Sequence, residues 1–269
     1  MNKRIIFMHS LAIVLSLSLA TTVGYAQTTD EDYTPQSGQY GKDVVWVPTP
    51  QELVDAMLDM ANVTSTDYVI DLGSGDGRLV ITAAKRGATA LGIEYNPDMV
   101  EFAKRAAIEE GMSERATFVN ADIFESDFSK ADVITLFLLT SLNIKLRPIL
   151  LDMKPGTRIV SNTFNMGEWT PDETKYLDEN LNWYTAHLWI VPAKVNGIWS
   201  LDNGQISIVQ DFQNITGTLT IENKSTELTG KLNGDKISFN VGGIEYTGTV
   251  NGNTILGSRV GGGSWRATR

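Results

Sequence analysis

The stretch Asp71-Leu72-Gly73-Ser74-Gly75-Asp76-Gly77-Arg78 concentrates the chemistry of this sequence. Alternating glycines let a chain turn tightly and bring its backbone close to a bound ligand. The apolar run Tyr68 to Leu72 before them reads as a buried strand. The loop therefore leaves the carboxyl end of a strand, the edge at which open α/β sheets bind ligands. Asp71 can serve a cationic group there. Glu94 ends a second strand, at the spacing of about twenty residues expected for an acid that accepts from a ribose diol. Asp122, with Ile123 beside it, follows a third strand. Glu94 or Asp122 alone could be a solvated strand-end acid; together with the loop they form a specific pattern.

S-adenosylmethionine (SAM) needs the same set of groups. Its methionine part needs a backbone cradle with an acid near the amino group, which the loop and Asp71 supply. Its ribose needs a carboxylate, Glu94. Its adenine needs a group at its edge, Asp122, with Ile123 against the ring. A nicotinamide dehydrogenase also carries an acid after its second strand. Its loop, however, runs G-x-G-x-x-G with no preceding Asp, whereas this one runs D-x-G-x-G-x-G.

The elements that must position these groups follow from periodicity. Leu53, Val54, Met57, Leu58 and Ala61 recur at three- and four-residue steps, one face of an amphipathic helix. After the first strand, the pattern predicts a helix over Leu79 to Arg86 and a strand over Ala90 to Glu94. A helix over Pro97 to Gly111 has Pro at its first turn and Gly at its end. Strands are expected over Ala116–Asn120 and Ala131–Leu138, a helix over Leu142–Met153, and a fifth strand over Arg158–Phe164. Two further strands, between Tyr176 and Ala193, read as an antiparallel edge. Repeated βα units with continuous apolar strands point to an α/β architecture, a mostly parallel sheet covered on both faces. After Lys194 helical periodicity vanishes. Short strands alternate with turns such as Asn196-Gly197, Asn233-Gly234 and Asn251-Gly252, an all-β meander closing into a small barrel or sandwich. Trp199 and Trp265, near its two ends, read as packing groups before ligand contacts.

The expected organisation is a signal peptide over 1–26, a flexible polar arm over 27–43, the α/β domain over 44–193 and the β-meander domain over 194–269. The leader carries Lys3 and Arg4, an apolar run from Ile5 to Leu19 and the small residues of Gly24-Tyr25-Ala26. An uncleaved anchor is the alternative, although the run is short for a spanning helix. No second such run follows, so no stable span is expected once the leader is removed. Export conflicts with the cytosolic origin of SAM, and the sequence does not resolve that conflict.

In the 269-residue chain, hydrophobic content of 42% against 20% charged residues leaves room for a proper core. The absence of cysteine excludes disulfides, thiol nucleophiles and Cys-zinc sites. Of the two histidines, His9 lies in the leader and His187 in an apolar-aromatic stretch that suits a satisfied sheet residue. No metal site is expected. The net charge is −10, and −12 without the leader, which holds Lys3 and Arg4 and no acid. Such a chain suits a cationic target better than nucleic-acid phosphates, and no nucleic-acid partner is expected.

These residues resemble class I SAM-dependent methyltransferases, which have a Rossmann-like fold. The segment from Val44 to about Trp169 is similar to bacterial methyltransferases of the V-P-T-P…D-L-G-S-G-D-G-R type. It is also similar to the mitochondrial protein-lysine methyltransferases of the adenine nucleotide translocase and the ATP synthase c-subunit. Val47-Pro48-Thr49-Pro50, Asp71 to Arg78, Glu94-Tyr95-Asn96-Pro97, Asp122, Thr135 to Leu138, Val160 to Phe164 and Trp169 carry the likeness. It covers about half the chain and leaves the β region untouched. It implies cofactor contacts at Pro48, Thr49, Asp71, Gly73, Ser74, Gly75, Asp76, Gly77, Glu94, Tyr95, Asn96, Asp122 and Ile123. It implies an acceptor side at Phe137, Leu138, Thr140 and Trp169, with Thr140 standing where relatives often have Pro. Phe137 and Leu138 suit either an apolar sleeve for a lysine stem or the core. Arg78 is expected to brace the loop or its helix. The Asn/Asp-Pro-Pro-Tyr signature of amide and nucleobase N-methyltransferases is missing. The implied function is methyl transfer to a lysine-bearing protein. A small-molecule acceptor, or a secreted SAM- or nucleoside-binding protein without turnover, are the alternatives. The sequence leaves the oligomeric state open.

Overall fold

The computed structural model describes residues 33–178 and 184–269. The leader and the start of the arm lie outside the described residues. The first half is built from α1 (Gln51–Met60), β1 (Tyr68–Leu72), α2 (Arg78–Lys85), β2 (Thr89–Glu94), α3 (Pro97–Glu109), β3 (Ala116–Asn120), β4 (Val133–Leu136), α4 (Thr140–Leu151), β5 (Arg158–Asn162), β6 (Glu173–Tyr176) and β7 (Thr185–Ile190). The helix starts follow local chemistry. Asn96 caps α3 by accepting from the Asp98 and Met99 amides, and Pro97 occupies the first turn, where its missing N–H costs nothing.

The sheet order is β3-β2-β1-β4-β5-β7-β6. Strands β1 to β5 pair in parallel, and β7 enters antiparallel between β5 and β6. The chain works outward from β1 on one side and from β4 on the other, so the crossovers diverge between these two strands. That divergence opens a crevice at their carboxyl ends. Both sheet faces are covered. Leu53, Met57, Val80 and Val100 of α1, α2 and α3 pack on one, and Leu146 and Leu150 of α4 on the other. Arg158, at the start of β5, pairs with Asp67 ahead of β1 and donates to the Ala61 carbonyl that ends α1.

Several boundaries differ from the periodicity, among them β5, which stops at Asn162 and leaves Thr163 and Phe164 in the loop that follows. Strand β4 stops at Leu136, so Phe137 to Leu139 form the loop into α4. Helix α4 begins at Thr140, two residues early and with no side-chain cap. Strand β6 is the polar segment Glu-Thr-Lys-Tyr, mostly exposed at the sheet edge, and its lack of apolar alternation hid it.

The remaining strands are β8 (Gly197–Leu201), β9 (Gly204–Asp211), β10 (Asn214–Ile221), β11 (Lys224–Asn233), β12 (Lys236–Val241), β13 (Ile244–Asn251), β14 (Thr254–Arg259) and β15 (Ser264–Thr268). Each pairs antiparallel with the next, and β15 returns to β8 through Thr268 opposite Ser200. The meander is thus a closed barrel, which leaves no strand edge free for unwanted pairing. Every second side chain points inward, as with Ile206 and Ile208, Leu228 and Leu232, and Ile237, Phe239 and Val241. Trp199 is buried and donates to the Val195 carbonyl at 2.7 Å. Trp265 packs edge-on against Phe239 at 5.5 Å.

Candidate active site

A cavity of about 280 Å³ lies over the carboxyl ends of β1, β2 and β4. The glycine loop forms its floor. Gly75 has φ +53°, and a Cβ there would lie 2.4 Å from the Trp46 indole nitrogen, so only glycine fits. Glu94 ties the loop to the second strand: its Oε2 accepts from the Gly75 amide at 3.0 Å and its Oε1 from the Asn96 amide at 2.9 Å. Each oxygen keeps lone-pair capacity for a ligand hydroxyl. Ser74 lines the same space, while its hydroxyl is turned inward over Gly92 of β2, buried and without a partner in the protein. A glycine cradle that an added Cβ would block, beside a pinned carboxylate with lone pairs to spare, is what the backbone-bound and ribose parts of an adenosyl ligand require, so the residues present fit SAM.

Asp71 is buried below the loop and accepts from the Thr135 hydroxyl at 2.7 Å. Burial pushes its carboxyl up to about 7, opposed by the Thr135 hydrogen bond, with repulsion from Glu94 and Asp76 adding to the rise. A ligand ammonium favours the ionised form, so below pH 7 binding must release a proton. SAM affinity is therefore expected to rise roughly 25-fold between pH 5.5 and 7.5. Asp71→Asn should flatten that slope in calorimetry; an equal slope in the variant would assign it to another group.

Asp76 holds Arg78 through its Nε at 2.9 Å, and Arg78 Nη1 donates to the Thr49 carbonyl at 2.7 Å. The Thr49 hydroxyl in turn accepts from Asn162 at 3.2 Å. Arg78 thus braces the loop and fastens Val47-Pro48-Thr49-Pro50 over the cavity.

The last part of the arm does more than the sequence suggests. Residues 38–46 form a hairpin, closed by Gly38 N–H to Trp46 O at 2.8 Å and Trp46 N–H to Gln39 O at 2.9 Å. It covers the cavity and brings Lys42 to Asp122, forming an ion pair, with the ammonium 4.7 Å from the centre of the Tyr95 ring. Paired with Lys42 and accepting from the Phe124 amide, the Asp122 carboxyl is held below its ordinary range. A polar, glycine-containing segment is thereby held by a long-range charge pair, the Lys42–Tyr95 contact and the Trp46 indole against Gly75, none of which its composition reveals.

Pro48, Thr49, Asp71, Gly73, Ser74, Gly75, Asp76, Glu94, Tyr95, Asn96, Asp122, Ile123, Phe137 and Leu138 all line this one cavity. Three expected residues stand elsewhere. Gly77 lies behind it, where a Cβ would meet the Phe118 ring at 2.7 Å; it permits close packing of α2 on the sheet. Thr140 is the half-buried first residue of α4, outside the lining. Trp169 is fully buried away from the cavity, stacked on Phe212 of the barrel at 6.0 Å, and its carbonyl accepts from the Trp189 indole. His187 bonds Thr174 and the Thr163 carbonyl, and burial lowers its pKa, as suits a satisfied sheet residue. The lining residues the sequence reading missed are chiefly Lys42, Trp46, Met99, Leu142 and Phe164. Phe164, its ring 6.0 Å from that of Phe137 and inclined 28° to it, completes an apolar wall beside the cradle.

The family model described as the ANTKMT methyltransferase domain matches residues 71–173. The chain is 42% identical over 156 residues to a protein-lysine N-methyltransferase of Saccharolobus islandicus (strain REY15A), a match covering 56% of this chain and 96% of that protein. It is 28% identical to an ATP synthase c-subunit lysine N-methyltransferase of Xenopus laevis, over 63% of this chain and 68% of that protein. Among solved structures, an RNA methyltransferase from Salinibacter ruber in complex with S-adenosyl-L-homocysteine is 48% identical. That likeness covers 55% of this chain and 96% of the other, with a TM-score of 0.52. The chain belongs to this family of SAM-dependent methyltransferases, and its cofactor is SAM.

Proposed function

We propose that the protein transfers a methyl group from SAM to the ε-amine of a protein lysine outside the cytoplasm. The observation that carries the lysine reading is the apolar wall of Phe137 and Phe164 beside the cradle, continued by Leu138, Leu139 and Leu142. When bound, SAM supplies an electrophilic methyl group on a sulfonium. The loop, Asp71, Glu94 and Asp122 hold and orient it, and Trp46 with the hairpin keeps water out. An amine must shed its proton to act as nucleophile, and an apolar sleeve lowers a lysine pKa without a strong base. Positioning and desolvation then account for most of the acceleration.

The relatives named for lysine methylation support this reading. The Salinibacter relative is named for RNA, but a chain of net charge −10 repels a polyanion, which favours a cationic acceptor. The basic, then apolar leader supports export. Among the described residues no helix is long and apolar enough to cross a membrane.

The test is incubation of the chain lacking residues 1–26 with methyl-labelled SAM and an extracytoplasmic protein extract. Label on protein, recovered as methyl-lysine after hydrolysis, is the expected result. Label in small molecules or RNA would replace the acceptor, and bound but unconsumed SAM would remove the turnover.

A further inference from the structure

We propose that the barrel holds the acceptor wall of the active site in place, through Phe212 acting as a positioning residue. The Salinibacter and Saccharolobus relatives are covered almost end to end by just over half of this chain, so a barrel is an addition relative to them. Phe212 sits in the turn between β9 and β10 with φ +52°, a conformation that bulky side chains rarely adopt. Its ring leaves the barrel and packs against the α/β half. One contact is Trp169, parallel within 9° at 6.0 Å; the other is the Arg147 guanidinium of α4, 5.4 Å from the ring centre. The next residue, Gln213, donates to the Thr170 carbonyl at 2.9 Å.

These contacts converge on the loop that carries Phe164. Arg147 Nη1 donates to the Met166 carbonyl at 2.9 Å, Met166 bridges to Trp169, and Asn143 of α4 donates to the Phe164 carbonyl at 3.1 Å. The loop opens at Thr163, a β-branched residue at φ +62°. Backbone held in so sparse a region persists only where its surroundings over-determine it, and such strain gathers at functional sites. Here α4 grips the loop from one side and the barrel turn from the other, and the ring so placed is Phe164 against Phe137. None of these contacts is to the glycine loop or Glu94, and the link from the start of this loop toward the cofactor side is the Asn162–Thr49 hydrogen bond, so the barrel bears chiefly on the acceptor side.

The catalytic readout rests on the proposed methyl transfer; the structural readout does not. In Phe212→Ala, amide hydrogen exchange at residues 163–170 should speed about tenfold while residues 71–96 stay unchanged. SAM affinity by calorimetry should remain within twofold of the parent. Labelled methyl transfer into the extracytoplasmic extract should fall about tenfold and recover in Phe212→Tyr. If the alanine chain lacks the parent's near-ultraviolet circular dichroism, Phe212→Leu, which keeps an apolar plug but no stacking, takes its place. Unchanged exchange at 163–170 overturns the proposal, as do raised exchange with undiminished transfer and an equal loss of SAM affinity. If the parent transfers no label, lysine methylation fails, and the exchange pattern alone decides whether the barrel holds the wall.

Discussion

Glu94→Ala is expected to weaken SAM binding about ten- to a hundredfold, read by calorimetry near pH 7.5. Hydrogen bonds to a charged carboxylate contribute roughly 1.5–3 kcal/mol, and about 1.4 kcal/mol is tenfold in affinity. Glu94 anchors the Gly75 and Asn96 amides, and in the proposed SAM complex it would also accept from a ribose hydroxyl. Removing it also leaves those two donors to find water, which loosens the cradle itself. Glu94→Gln keeps one carbonyl acceptor in place and should cost less than the alanine. Unchanged affinity in both variants would remove Glu94 from the site.

The second large effect is on stability. Gly77→Ala is expected to cost about 2–5 kcal/mol, from a left-handed conformation worth about 1–2 kcal/mol and overpacking worth about 1–3. Gly77 has φ +80°, and its added Cβ would lie 2.7 Å from the Phe118 ring and 2.8 Å from the Ala103 Cβ. Gly111 is the control: φ is +69° with nothing within 4 Å of an added Cβ, so Gly111→Ala carries the backbone strain alone. Thermal unfolding should separate the two by several degrees. Equal midpoints would mean that α2 yields to the extra methyl and that the close packing of loop, helix and sheet is not needed.

The site was legible where its residues lie at strand ends and are read locally. Asp71 and Glu94 lie at the carboxyl ends of β1 and β2 and Asp122 just beyond β3, and parallel pairing of these strands brings their ends together. The barrel was legible from its turn residues, because Gly234, Gly242, Gly243 and Gly252 occupy the left-handed positions that hairpins need. The hairpin at 38–46 was not. Lys42 meets Asp122 eighty positions away, and a charge pair of that separation leaves no periodic trace. The packing of Trp169 was hidden for a related reason: its partner Phe212 belongs to the barrel, so the likeness to shorter relatives holds no information about it. Strand β6 failed because an edge strand wetted on both sides has no alternation to read.

One adenosyl ligand is expected to bridge the glycine loop, Glu94 and Asp122, and a crystal structure of the chain with S-adenosyl-L-homocysteine decides whether it does. The expected result places the ribose hydroxyls on Glu94, the amino group toward Asp71, and the adenine beside Ile123 with its edge at Asp122. A nucleoside bound elsewhere on the chain, or no ligand density over the loop at saturating concentration, would contradict it.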